Sequence, residues 1–337
     1  MKSSKIHIFL ILTALLFSGC SKSLYNISNK GSQNITFSKT VIDETNIKIK
    51  SSSNFKKQHI LKQEYLSRYF APWSLTKVST PKSEAKWALG YKYQDIYLQN
   101  HKKATKQWFE HQEKNSNFEE YNKLSKKAIT IKNSNIRALP TKQVMFKNPK
   151  EAGEGFPFDY NQNSSIKINT PIFVSHLSKD KAWAFIQTPS FAGWIDIHNI
   201  AFTSKKFIKE FKTHNYYIAI KDNFAIYENN NFKEFIKLAT IFPKKSNNYL
   251  IANKNKNQEA LVSLINIKDD NINSFPLKFN KTNTANIAKE LFNEPYGWGG
   301  LLGKRDCSSF TKDYFATFGK YLSRNSKAQT TNGTYID

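Results

Sequence analysis

One stretch of this 337-residue chain constrains its fold and chemistry more than any other. Residues 296–310 have the sequence Tyr-Gly-Trp-Gly-Gly-Leu-Leu-Gly-Lys-Arg-Asp-Cys-Ser-Ser-Phe. Glycine adopts positive φ angles and permits close backbone approach, so four glycines within seven residues predict a tight loop. Apolar residues at helical spacing then predict a helix from about Ser308 to Phe318, ended by Gly319. The loop therefore delivers Cys307 to the start of a helix.

A cysteine at this position is suited to act as a nucleophile. Free N–H groups at a helix N-terminus favour the thiolate and can form part of an oxyanion hole. Arg305 is expected to act in the same direction and Asp306 against it. A cysteine nucleophile also needs a base, usually histidine. All seven histidines precede Cys307, and none is expected to serve as that base: His7, His59, His101, His111, His176, His198 and His214.

The first residues predict export. Two lysines precede an apolar run over residues 6–17 that is too short to span a bilayer, followed by Ser18-Gly19-Cys20, a pattern typical of a secretory signal peptide. The cysteine after small residues resembles the lipobox of bacterial lipoproteins, so Cys20 is the expected lipidation site. The alternative is an ordinary cleaved signal. Since the chain has two cysteines, a lipidated Cys20 leaves Cys307 as a free thiol; a buried, inert Cys307 is the alternative.

The net charge of +25 comes almost entirely from lysine, since only four residues are arginine. Base-reading nucleic-acid sites favour the arginine fork, and no block of five basic residues occurs. We therefore expect no nucleic-acid partner. A lysine-rich surface fits loose attraction to anionic polymers and membranes. We predict no metal site and no cofactor.

Composition and periodicity divide the chain into segments. The predicted order is a signal peptide (1–20), a flexible tether (21–60), a helical region (61–127), two small barrels (128–205 and 206–280), and a terminal helical segment (281–337). Short apolar or alternating runs predict strands at 128–131, 166–168, 172–175, 183–186, 216–220, 224–227, 249–251 and 260–264. A helix that ends before Pro295 is expected to be capped by Thr282 or Thr284.

Several motifs carry a resemblance to a known family. Residues 295–300, 306–308 and 322–329 resemble the first half of the NlpC-type, papain-like cell-wall peptidases. Residues 70–73, with Trp87 and 99–100, resemble the helical clip that precedes two bacterial SH3-like domains in one branch of that family. Residues 137–141, 153–160, 175–180 and 193–194 resemble the first of those SH3-like domains. The resemblance implies a multidomain α+β fold: clip, two SH3-like β-barrels and the first helices of a papain-like domain.

The resemblance also implies a function. The family hydrolyses γ-D-glutamyl–diaminopimelate bonds in peptidoglycan stem peptides, often with a free N-terminal L-alanine. Cys307 matches the nucleophile, and Tyr296, Asp306 and Ser308 match residues that line the peptide site. In the family, the first SH3-like domain forms one wall of the substrate cleft. Asp159 and Tyr160 are the candidate substrate-binding residues on that wall. The implied location is the bacterial cell envelope, as a periplasm-facing lipoprotein held in the inner or outer membrane.

Three hypotheses remain open at this stage. In the family, the base histidine and the sheet beneath the cysteine helix follow the position where this sequence stops. The chain is therefore expected to be a truncated, inactive endopeptidase, a lipid-anchored peptidoglycan-binding protein without catalysis, or one half of a split enzyme. An uncovered helix face forgoes roughly 1.5–3 kcal/mol for each large apolar side chain. We expect residues 281–337 to be poorly held or to lean on the barrels.

Overall fold

The computed structural model describes residues 55–332, with side chains from residue 57 onward. The predicted signal peptide, Cys20 and almost all of the predicted tether lie outside the described residues. The first helix has apolar side chains at helical spacing and ends where Pro72 enters a 3₁₀ turn (Ala71–Ser74). Trp73 is 3% exposed and donates its indole N–H to Ala128 O at 2.7 Å. The helices of this region are α1 (Phe55–Phe70), α2 (Lys82–Ala85) and α3 (Lys106–Asn115).

Seven strands form the first sheet, in the order β3-β2-β6-β5-β4-β1-β7 with every neighbouring pair antiparallel. The predicted strands at 128–131, 172–175 and 183–186 coincide with β1, β4 and β5. The predicted strand at 166–168 is wrong beyond Ile166, which ends β3. The strands are β1 (Lys126–Thr130), β2 (Ser134–Arg137), β3 (Gln162–Ile166), β4 (Pro171–Leu177), β5 (Trp183–Gln187), β6 (Ala192–Asp196) and β7 (Ile200–Phe202).

A short helix, α4 (Lys205–Phe211), leads from this sheet to the second group of strands and was not predicted. Five of these strands form a sheet in the order β13-β12-β11-β8-β14, and β9 and β10 form a separate antiparallel hairpin. All four strands predicted here are present. The strands are β8 (Tyr216–Ala219), β9 (Phe224–Glu228), β10 (Asn231–Ile236), β11 (Ile241–Lys245), β12 (Asn248–Lys254), β13 (Ala260–Ile265) and β14 (Ile272–Ser274).

Three helices follow the second sheet: α5 (Lys281–Glu290), α6 (Cys307–Thr317) and α7 (Ser326–Gln329). The predicted cap of α5 is wrong: Asn280 accepts the hydrogen bond from the backbone N–H of Asn283. The Thr284 hydroxyl donates back to the carbonyl oxygen of Asn280, inside the first turn. Gly319, at φ +77°, follows the end of α6 as expected.

The segment after residue 280 leans on the strands and on α1. Ile287, Leu291 and Phe318 are at most 4% exposed and share one apolar core with α1, β8 and β11. The backbone N–H of Leu277 donates to Thr317 O at 2.9 Å, which fixes the end of α6 against the chain before α5. Phe310, near the start of α6, is 41% exposed. The expectation that the helix face lacks support therefore holds for Phe310 and fails for Phe318.

Within residues 55–332, no helix combines the length and the apolar character that a bilayer crossing requires.

Candidate active site

The glycine-rich loop packs its backbone directly on β3. Gly299 (φ +57°) and Gly300 (φ +86°) are in the left-handed region, and a Cβ at either position would collide with Gln162 O or the Ser165 side chain. The Gln162 amide donates to Gly299 O at 3.0 Å, which closes the contact. The glycines are thus required both for the turn and for the approach to the first sheet.

Trp298 fixes the same loop to the chain before β3. Its indole N–H donates to the Asp159 carbonyl oxygen at 2.9 Å. Its ring centroid lies 5.4 Å from that of Phe158 and 5.7 Å from that of Tyr160. The loop therefore brings the sequence-predicted residues of the first SH3-like segment next to the peptide that carries Tyr296, whose side chain is 52% exposed.

Asp306 is the N-cap residue of α6 and forms a capping box with Ser309. Its carboxylate accepts the backbone N–H of Ser309 at 2.8 Å, and the Ser309 hydroxyl accepts the backbone N–H of Asp306 at 2.9 Å. Since Asp306 is the cap, Cys307 is the first helical residue. The helix thus starts one residue before the predicted start.

A guanidinium group fastens this helix start to β3. Arg324 makes a two-point ion pair with the Asp306 carboxylate, at 2.7 and 3.1 Å. It also donates to Ser308 Oγ at 2.9 Å and to Ser164 Oγ of β3 at 2.6 Å. Burial alone would raise the pKa of Asp306, but the Arg324 bonds and charge and the Ser309 N–H outweigh it and lower that pKa. We call Arg324, Asp306, Ser308 and Ser164 the helix clamp.

Cys307 carries a free, exposed thiol at the N-terminus of α6, beside the helix clamp. Its backbone N–H and that of Ser308 make no hydrogen bond with any residue of the described range. Unpaired N–H groups beside a nucleophile are the donors that an oxyanion requires. The alternative of a buried, inert cysteine is wrong.

The expected influence of Arg305 on Cys307 is not supported by the geometry. Arg305 is 6% exposed, and its guanidinium bonds three carboxylates: Asp222 at 2.8 and 3.2 Å, Glu294 at 2.7 Å and Asp313 at 2.8 Å. Lys167 pairs with Asp313 from the other side. This buried ion cluster ties the peptide before Cys307 to the second sheet, so Arg305 acts on position rather than on the thiol.

Asp159 and Tyr160, the two candidates from the first SH3-like segment, take different positions. The Asp159 side chain is 1% exposed, pairs with Arg137 at 2.8 Å, and accepts the backbone N–H of Met145 and of Asn161 at 2.9 Å each. It is a positioning residue and has no carboxylate oxygen left for substrate. Tyr160 is half-buried and donates its hydroxyl to Glu154 at 2.8 Å, beside Trp298.

The contacts of the described histidines lie away from Cys307. His176 is 1% exposed, and its ring nitrogens lie 3.0 Å from Ser116 O and Ser175 Oγ. Burial lowers the pKa of His176 to about 4, although the Ser116 bond opposes the shift, so the ring is neutral and structural. His198 is exposed, and its Nδ1 lies 2.9 Å from Asp196 Oδ1. Within residues 57–332, no histidine makes a hydrogen bond or ion pair with Cys307.

The sequence reasoning did not find Arg324, Ser164 and Gln162. Arg324 lies inside the 322–329 motif, but its partner Asp306 is 18 residues away and Ser164 is 160 residues away. The sequence contained one signal for these roles, which is that arginine is scarce in this chain. Three of its four arginines form ion pairs with carboxylates in buried or half-buried positions.

Family models match three parts of the chain. The model described as "NLPC_P60 stabilising domain, N term" matches residues 9–121, "SH3 domain (SH3b1 type)" matches residues 145–196, and "NlpC/P60 family" matches residues 293–336. The last match contains the glycine loop, Cys307 and Arg324. No curated protein matches the chain.

A solved structure agrees with the family matches. An NlpC/P60 endopeptidase from Photobacterium damselae subsp. piscicida is 26% identical, with a TM-score of 0.74 over 81% of this chain. The chain spans 65% of the length of that endopeptidase. An NlpC/P60 family protein from Bacillus cereus ATCC 10987 is 16% identical, with a TM-score of 0.40, over 52% of this chain and 61% of its own. The family matches and the Photobacterium damselae structure confirm the predicted α+β class and the resemblance.

Proposed function

We propose that this chain, which resembles the NlpC/P60 endopeptidases from its helical region to its cysteine motif, carries the nucleophile site of a peptidoglycan hydrolase of the γ-D-glutamyl–diaminopimelate cysteine endopeptidase type. One observation carries the proposal: an exposed thiol sits at the first position of α6, beside two unpaired backbone N–H groups, on a helix start clamped to the first sheet.

The residues suggest a chemical sequence. The Cys307 thiolate adds to the γ-carbonyl carbon of D-glutamate, and the resulting oxyanion accepts the N–H of Cys307. The C–N bond then breaks, the diaminopimelate amine leaves with a proton, and a thioester remains. Water hydrolyses the thioester and regenerates the thiol. We propose that Tyr296, Ser308 and Tyr160 contribute to binding of the stem peptide, while the Asp159 carbonyl oxygen holds the Trp298 indole.

Proton transfer in this scheme needs a base that the described residues do not place beside Cys307. We therefore propose that the chain by itself turns over no substrate. The test is incubation of the purified chain with L-alanyl-γ-D-glutamyl-diaminopimelate and with purified peptidoglycan, followed by mass spectrometry. No release of diaminopimelate is expected. Release that disappears in Cys307→Ala would refute the inactivity and support the enzyme; release that persists in that variant would refute the assigned nucleophile.

A binding role is the second candidate, and the SH3 match over residues 145–196 favours it. The full chain should sediment with isolated cell walls, and Cys307→Ala should sediment equally. Chain that stays in the supernatant would contradict wall binding.

We also propose a location in the bacterial cell envelope, anchored by lipid at Cys20. The support is the sequence pattern around residues 6–20. Metabolic labelling with radioactive palmitate should mark the wild-type protein, and Cys20→Ser should abolish the label. Equal labelling of both proteins would contradict the anchor.

A further inference from the structure

A partly open cavity of about 850 Å³ lies beside the cysteine helix. The segments that line it include α6, the loop over residues 300–305, the chain between β3 and β4, and the segment between β10 and β11. Cys307 does not line it. Ligand pockets have volumes of roughly 300–1,000 Å³, so the space suits a small organic molecule.

The charge of the lining is strongly positive. Eight basic side chains and three acidic ones face the cavity. Several of these cations already have carboxylate partners: Lys167 pairs with Asp313, and Arg324 pairs with Asp306. Arg305 is held by its three carboxylates. These pairs use up the acidic groups nearest α6.

Lys312 lacks such a partner among the residues that the structure describes. It extends from α6 into the cavity, is half-buried, and makes no side-chain hydrogen bond or ion pair with any residue of the described range. Burial lowers its pKa to about 8, and the neighbouring Lys167 and Arg324 cations act in the same direction, whereas the Asp313 and Asp306 carboxylates oppose the shift. Lysine is rarely buried without a partner, because desolvation of the ammonium is unfavourable. The folded chain thus holds a lysine without a direct ion-pair partner, within the described residues, at the wall of a large cavity.

The cavity is also lined by neutral hydrogen-bond donors and by a further lysine. The Ser165 hydroxyl and the Asn223 amide line the same cavity, and neither side chain makes a hydrogen bond within residues 57–332. Lys304, on the loop before α6, also faces the cavity without an ion pair in that range. Cations and free hydrogen-bond donors that line one cavity are the groups that bind an oxyanion through charge-assisted hydrogen bonds.

We propose that this cavity is a second ligand site, which binds a small molecule through its oxyanion group, a carboxylate or a phosphate, with Lys312 as the binding cation. Cys307 does not line this cavity, and the proposed binding requires neither its thiol nor the proposed endopeptidase activity. The bound anion supplies the counter-charge that Lys312 lacks in the protein.

The test is isothermal titration calorimetry of the full chain with citrate and, separately, with sulfate. Citrate presents the carboxylate chemistry and sulfate the tetrahedral chemistry of a phosphate, so the tighter of the two identifies the ligand class. Lys312→Met should weaken that binding at least about tenfold, and Lys312→Arg should retain it. Lys256→Met removes the same charge from an exposed turn and should bind as the wild type does. Failure of both anions to bind, or equal binding by Lys312→Met and Lys256→Met, would overturn the proposal.

A second measurement needs no ligand. Because Lys312 has no partner to lose, Lys312→Met should melt at a higher temperature than the wild type in anion-free buffer, while Lys256→Met should melt unchanged. Saturating citrate or sulfate should raise the melting temperature of the wild type and not that of Lys312→Met. A lower melting temperature for unliganded Lys312→Met would show a structural role and contradict a site kept for a ligand.

Discussion

Replacement of Arg305 by methionine tests how the cysteine segment is held. The guanidinium makes four hydrogen bonds of 2.7–3.2 Å to Asp222, Glu294 and Asp313, and its side chain is 5% exposed. Breaking one buried ion pair costs about 3–5 kcal/mol, because the partner is left charged and desolvated. Lys167 and Lys237 still face these carboxylates and limit the loss. We expect Arg305→Met to lower the free energy of unfolding by about 4 kcal/mol.

The assay is urea denaturation followed by tryptophan fluorescence, with Arg68→Met as the control. Arg68 is exposed, and the contact that involves its guanidinium is with the Tyr321 ring at 4.9 Å, worth about 0.5–1 kcal/mol. The two variants lose the same charge and differ in burial. An Arg305→Met protein within about 1 kcal/mol of the control would refute the reasoning that the ion cluster holds this segment.

The same cluster predicts a pH dependence. Burial alone would raise the pKa of Asp313, but Lys167 and Arg305 outweigh it and lower that pKa to about 2. A carboxylate with a depressed folded-state pKa stabilises the fold above its unfolded value, and the contribution is lost as the pH falls. Wild-type stability should therefore fall between about pH 5 and pH 2. Arg305→Met should show a shallower fall, and parallel curves for the two proteins would contradict this assignment.

Three further predictions concern the loop, the clamp and the cavity. Gly300→Ala should lower the free energy of unfolding by about 1–3 kcal/mol, because its φ is +86° and a methyl group would meet Ser165, and urea denaturation measures this. Arg324→Gln should cost about 2 kcal/mol in the same assay, because the Asp306 carboxylate loses its charged partner. The pKa of Lys312 is about 8 in the folded protein, whereas its ordinary value is 10.5. Between these two pH values the unfolded chain binds more protons than the folded chain, so the stability of the wild type rises with pH in that range. The stability advantage of Lys312→Met should therefore be largest below pH 8 and shrink by about pH 9.5 in melting experiments, and an advantage that grows with pH would contradict that assignment.

The parts of the fold that sequence predicts are those with local signals. Glycine and apolar periodicity placed the loop and α6 within one residue, because positive φ angles and helical spacing are properties of neighbouring residues. β2, β6, β7, β10, β11 and β14 were not predicted. β2 has mixed, partly polar residues and becomes a strand through pairing with β3 and β6, which are distant in sequence. β10 pairs with the adjacent β9, but its residues are also mixed and partly polar.

The site residues divide in the same way. Cys307 follows from its place after the loop, whereas the roles of Arg324 and Arg305 depend on pairs separated by 18 and 83 residues. The sequence contains both Arg137 and Asp159, but no pattern links them. Asp159 therefore appeared as a substrate residue, when its carboxylate is consumed by a buried ion pair.

The most direct test of the central claim is covalent labelling of the full chain with a chloromethyl ketone of L-alanyl-γ-D-glutamate, followed by intact-mass and peptide analysis. The account predicts one adduct, located on Cys307 and absent from Cys307→Ala. It also predicts labelling about tenfold faster than with the N-acetylated reagent, since a lost amine contact of about 1.4 kcal/mol has that effect. No adduct on Cys307, or equal rates for the free and acetylated reagents, would contradict a stem-peptide site at the start of α6.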